Sequence, residues 1–164
     1  MKIIRKIKYN SPVVLTFALI SLIVFFLGEA TNNWTTMRFF CVYRSSLKDP
    51  LTYVRMFGYV LGHGSLEHYM GNIILMLVIG PSLEERYGSR NLLMAILVTA
   101  FIGGVVQWLF FPRTALLGAS GILFMMIVMS SITGSSDGSI PLTLILVLAL
   151  YLGQEVVNGL FTED

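Results

Sequence analysis

The chain has 164 residues, 55% of them hydrophobic and 12% charged, with a mean hydropathy of +0.79 and a formal net charge of +2. A soluble domain carries roughly twice that fraction of charge, so water is not the main solvent, and no basic stripe or recognition motif supports a nucleic-acid partner. The single cysteine, Cys41, excludes an intrachain disulfide, a CxxC redox pair and a cysteine zinc site.

The amino terminus is locally basic, with Lys2, Arg5, Lys6 and Lys8 ahead of the first apolar run. Such a cluster is first a topology signal and places the amino terminus in the cytoplasm. The run from Pro12 to about residue 28 is followed by Gly28-Glu29-Ala30 and Thr31-Asn32-Asn33. Its length favours a spanning helix over a removable leader. Residues 29 to 66 are too polar to span, yet they hold Trp34, Phe39, Phe40, Tyr43, Tyr53 and Phe57 among their charges. That mixture predicts a first loop lying in the membrane interface, where aromatic rings settle at headgroup level.

Four more apolar runs follow, at about 67 to 83, 91 to 111, 117 to 133 and 140 to 161. A helix of about 20 apolar residues crosses a bilayer and closes its backbone hydrogen bonds within itself. The expected fold is therefore all-α, a polytopic membrane bundle of about five spans plus the interfacial loop, forming one domain over residues 1–164. By alternation, the Glu84-Glu85-Arg86 to Arg90 connection and the loop Gly134 to Ser139 fall inside. The turn Phe111-Pro112-Arg113-Thr114 and the terminal Thr162-Glu163-Asp164 fall outside. Ala100, Gly103 and Gly104 predict a close helix crossing on the third run. Gln154, Glu155 and Asn158 cluster at the outer end of the fifth, where they meet either water or headgroups.

Two features can carry chemistry. His68 and Asn72 are four residues apart at the start of the second run, so in a helix they share one face. Ser120 stands in Gly118-Ala119-Ser120-Gly121 at the start of the fourth run, which crosses in the same direction. Topology alone thus puts Ser120 and the His68/Asn72 donors at similar depth. Such a layout suits acyl transfer, in which a serine nucleophile attacks, and side-chain donors and the N–H groups of a helix terminus bind the developing oxyanion. Taken singly, each motif also fits packing: small residues are common at helix interfaces, and a histidine can be structural. His63 is expected in the interface, packing its loop. Two histidines without a nearby carboxylate pair argue against a metal centre.

The segment from Arg55-Met56-Phe57-Gly58 through His63-Gly64-Ser65-Leu66-Glu67-His68 to Asn72, then Glu84-Glu85-Arg86, then Gly118-Ala119-Ser120-Gly121, resembles the rhomboid family of intramembrane serine proteases. HxxxN, ExR and GxSG occur in the family order, and the resemblance covers the chain from about residue 10 onward. It implies that Ser120 is the nucleophile, that His68 and Asn72 with Ser120 form the oxyanion site, and that Glu84 and Arg86 brace the cytoplasmic end of the second helix. Gly118 and Gly121 flank the serine as structural residues. It further implies cleavage of transmembrane segments of other membrane proteins, no cofactor, and a bilayer for solvent. The expected location is a bacterial plasma membrane. The family takes its general base from a histidine on a sixth helix. After Phe161 only three residues remain, so the domain is expected to be incomplete at its carboxyl end. Phe124 stands where the family commonly has tyrosine. The alternative reading is a catalytically silent relative that binds transmembrane segments without cutting them.

Overall fold

The computed structural model describes residues 8–134 and 139–161. Lys2, Arg5, Lys6, most of the Gly134 to Ser139 loop, the terminal Thr162-Glu163-Asp164 and the side chains of Gln154, Glu155 and Asn158 lie outside that description. The fold is all-helical. Five long helices occupy the five apolar runs: α1 (Pro12–Ala30), α4 (Leu66–Tyr87), α5 (Ser89–Phe110), α6 (Ser120–Gly134) and α7 (Leu142–Phe161). The interfacial stretch between the first two folds as α2 (Trp34–Phe39), α3 (Pro50–Gly58) and a 3-10 turn over Tyr59–Leu61. Helices α1, α4 and α5 are long and apolar enough to cross a membrane.

Local chemistry sets each boundary. Pro12 sits at the first turn of α1, where a missing N–H costs nothing. Asn32 and Asn33 end the segment with φ of 51° and 63°, a left-handed conformation that asparagine tolerates better than most residues. Pro50 opens α3 behind Asp49, whose carboxylate accepts the Leu51 N–H at 3.0 Å. Ser65 caps α4 by accepting the His68 N–H at 3.1 Å. Gly88, at φ 82°, separates α4 from α5 with no intervening loop.

Helix α6 departs from the other spans. Its 15 residues rise only about 22 Å, less than the roughly 30 Å of a hydrocarbon core. The segment before it descends into the bundle: residues 111–115 are exposed, Leu116 and Leu117 half-buried, and Gly118 and Ala119 buried. Three contacts hold this descent. Val42 and Leu116 exchange backbone hydrogen bonds at 2.9 Å in both directions, the Gly118 N–H donates to the Tyr59 carbonyl at 2.9 Å, and Gln107 of α5 donates to Thr114. The fourth span predicted from residue 117 therefore begins three residues later, because residues 117–119 are committed to that descent.

The first loop is built around Arg55, which is buried. Its Nε donates to the Arg38 carbonyl at 2.9 Å, its guanidinium lies 4.6 Å from the Tyr43 ring centroid, and it pairs with Asp49 at 3.4 Å. One side chain thus joins the end of α2, the strand-like segment after it and the start of α3. The close crossing predicted around Gly104 is made with this loop. A Cβ at Gly104 would lie 2.5 Å from the Met56 carbonyl oxygen, and Gly103 faces the Tyr59 hydroxyl.

Helices α1 and α4 pack antiparallel, and Glu84 closes their shared end. Its carboxylate, 4% exposed, accepts the N–H of Val13 at 2.9 Å and of Val14 at 3.0 Å, and the Ser89 hydroxyl at 2.6 Å. Ser11, at the N-cap position, makes no side-chain cap. Glu84 does the capping from another helix, satisfying amides left orphaned at a helix start and placing negative charge at the positive end of the α1 dipole. Higher on the same pair, Val14 packs on Gly80 and the Tyr69 hydroxyl donates to the Ala18 carbonyl at 3.0 Å. Removing the carboxylate in Glu84→Ala leaves buried donors unpartnered and is expected to cost about 3 kcal/mol. Glu84→Gln retains one acceptor and is expected to lose about half as much; thermal unfolding of both variants in detergent micelles checks the order.

Candidate active site

The polar side chains of interest meet at the end of the bundle opposite Glu84. His68 occupies the first turn of α4, half-buried, and Asn72 follows one turn later, buried. The Asn72 Nδ2 donates to the His68 carbonyl at 3.0 Å, which uses one of its two amide protons and fixes the plane of the group. The sequence expectation that the pair shares one helix face is met in the backbone.

Gly118 carries the serine segment to this pair. Its φ of 119° is a conformation that a side chain resists, and a Cβ there would stand 2.8 Å from both Cε1 and Nε2 of His68 and 4.0 Å from the Asn72 Nδ2. The glycine is thus required twice, for its dihedral and for its closeness to the imidazole. Ala119 is fully buried, and Ser120, the next residue, opens α6 and is half-buried. The first turn of α6 points its unpaired-by-helix N–H groups toward the same end. Gly121 differs: it is exposed, and a Cβ there would meet no described atom within 4 Å. At the far end Glu84 makes the α1 cap, while Arg86 is exposed and takes no part in it.

His63 is a residue whose position the sequence concealed. It packs its loop as expected, but more deeply than the sequence indicates: it is 2% exposed, with its ring edge-on to His68 at 5.0 Å and to Tyr69 at 5.5 Å. Its Nδ1 lies 3.2 Å from the Leu61 carbonyl, and its Nε2 is buried without a partner. Burial pushes its pKa down to about 4, the neighbouring His68 adds to the effect, and the Leu61 carbonyl opposes it. His63 is therefore neutral at neutral pH and supports the imidazole beside it by packing. No sequence feature marks its burial; only the structure shows how tightly this loop packs, with Gly62 against the Phe40 carbonyl. Among the described residues no group of three or more His, Cys, Asp or Glu could hold a metal.

Long apolar helices with a polar cluster sunk at one end define a multi-pass membrane protein. The model of the rhomboid domain matches residues 50–163, more than half of the chain, and the chain belongs to that family. It is 30% identical over 83 residues to rhomboid-related protein 2 of Mus musculus, a match covering 46% of this chain and 28% of that protein. It is also 30% identical over 104 residues to RHOMBOID-like protein 4 of Arabidopsis thaliana, covering 59% of this chain and 26% of that protein. The chain spans under a third of the length of these curated relatives.

Two outcomes test the geometry. Because neutral His63 is favoured by the fold, its contribution to stability is complete above its ordinary pKa of 6.5 and is lost as pH falls toward 4. A displacement of that size corresponds to about 3 kcal/mol. The melting temperature in micelles should drop across this range, and His63→Phe should flatten the drop. Gly118→Ala is expected to lose about 1–3 kcal/mol from backbone strain alone, with further loss from the collision with His68, measurable as a lower melting temperature.

Proposed function

We propose that this chain carries the serine half of an intramembrane serine endopeptidase site that cleaves transmembrane segments of other membrane proteins. The observation that carries the reading is the seating of Gly118 against the His68 ring and beside the Asn72 amide, which brings the start of α6, and Ser120 with it, to the one paired-donor site on α4. Family membership supports the same chemistry. In this reading the Ser120 Oγ attacks the scissile carbonyl and its proton passes to a base. The oxyanion is held by His68, the second amide proton of Asn72 and the N–H groups of the first α6 turn. The acyl-enzyme is then released by water.

The base is assigned to neither His63 nor His68. His68 is needed as a donor to the oxyanion, and the His63 ring is buried behind it. The family resemblance assigns that role to a histidine on a further helix, with residues 1–164 forming part of one rhomboid domain. The positive-inside rule supports a cytoplasmic amino terminus and places the Ser120 end outside; a bacterial plasma membrane is the proposed host. The short α6 supports catalysis below the membrane surface, where donors act in a low dielectric and are worth more than in water.

Fluorophosphonate labelling of the full-length protein in membranes tests this. Labelling is expected at Ser120 and should vanish in Ser120→Ala. His68→Ala and Asn72→Ala should each slow it, by about a hundredfold where an oxyanion donor is lost. A protein that leaves Ser120 unlabelled yet crosslinks a photoreactive transmembrane peptide would instead be the silent, segment-binding relative.

A further inference from the structure

Helices α1 and α4 are joined at two fixed points. Below, the Glu84 carboxylate ties α4 to Val13 and Val14. Above, the Tyr69 hydroxyl is bonded to the Ala18 carbonyl and its ring stacks on Phe25 at 6.1 Å. Between them lies a groove of about 600 Å³, open to the side, within the roughly 300–1,000 Å³ of sites that enclose small ligands. Its walls are Leu15 and Leu19 from α1 and Ile73 and Leu77 from α4, spaced four apart on each helix and so forming two facing stripes. Tyr69 and Ala18 close its upper end.

The groove is apolar along its length and polar only at its mouth, where Lys8, Tyr9 and Asn10 line it. Tyr9 is held over the first turn of α1 by a hydrogen bond between its hydroxyl and the Thr16 hydroxyl at 2.9 Å. Lys8 is exposed, and α1 has no acidic residue before Glu29 to answer it. Glu84, the nearby carboxylate, is buried and engaged with three donors. The first turn of α1 is thus already neutralised by Glu84, and among the described residues Lys8 is the cation that lines the mouth. An apolar slot running between two membrane-spanning helices and ending in a cation has the charge and shape of one ligand class.

We propose that this groove binds one anionic phospholipid, with an acyl chain between Leu15, Leu19, Ile73 and Leu77 and its phosphate against the Lys8 ammonium and the Asn10 amide. A zwitterionic lipid fits the slot equally well but gains less from Lys8. One lysine near a charged surface is worth about a fivefold preference. The site is separate from Ser120 and does not depend on the catalytic reading.

Native mass spectrometry of the full chain released from micelles, with dioleoyl phosphatidylglycerol or dioleoyl phosphatidylcholine added, tests it. One phosphatidylglycerol should be retained with about fivefold preference. Lys8→Gln and Lys8→Glu should abolish the preference without lowering the melting temperature. Leu77→Trp, which fills the slot from an exposed position, should displace both lipids. Glycerol phosphate without acyl chains should not compete. Equal retention of the two lipids, an unchanged preference in both Lys8 variants, or displacement by glycerol phosphate would each overturn the proposal. So would loss of the preference in Lys2→Gln/Arg5→Gln/Lys6→Gln with Lys8 intact, since the attraction would then belong to the terminal cluster.

Discussion

A helix that begins inside an apolar medium must find partners for its first amides, and here one carboxylate solves the problem for α1 while organising what surrounds it. Glu84 accepts from Val13, Val14 and the Ser89 hydroxyl. It therefore fixes the start of α1, the end of α4 and the start of α5 at a single point. A buried carboxylate is costly unless its oxygens are filled, and three donors fill them. The antiparallel packing of α1 on α4, with Val14 against Gly80 and Tyr69 against Ala18, follows from that anchored end. With α4 held in rotation, the face carrying His68 and Asn72 is aimed into the bundle.

At the other end, control passes to backbone geometry. Gly118 accepts a dihedral that a side chain resists and leaves room for the imidazole, while its N–H is tied to the Tyr59 carbonyl. Tyr59 in turn belongs to the turn that follows α3, and α3 is positioned by Arg55. The polar cluster is thus assembled from α4, α6 and the first loop together. No one of them presents it alone.

Much of this was legible in the residues. Apolar runs of the right length marked all five long helices, because a membrane helix must hide its own backbone and can do so only with a continuous stretch. HxxxN and GxSG stood out because polar groups in such stretches are expensive. That the fourth run, 117 to 133, is short for a span was legible; where its helix starts was not: Leu116, Leu117 and Ala119 are as apolar as the helix after them, and only the pairing of Leu116 with Val42 shows that they are not part of it. Nor was the role of Arg55, a residue whose charge reads as surface but which is buried by a carbonyl, an aromatic face and a carboxylate. Periodicity reports how a segment meets lipid; it is silent about contacts between segments, whether distant in sequence, as Val42 and Leu116 are, or near, as Arg55 and Arg38 are. Arg86 and Gly121, singled out with their motifs, are exposed, and their motifs carried no signal that would separate them from Glu84 and Gly118.

The docking of the first loop on α5 has a consequence for biosynthesis. Met56 rests on Gly104, Phe57 stacks on Phe101 at 5.2 Å, and the Trp108 indole donates to the Ser45 carbonyl at 2.9 Å. Every one of these partners is translated dozens of codons after the loop that needs it. The loop must therefore wait, unseated, until α5 has been made. Long-range closure of this kind slows folding, and until α5 is in place the aromatic side chains of the loop lack their partners on it.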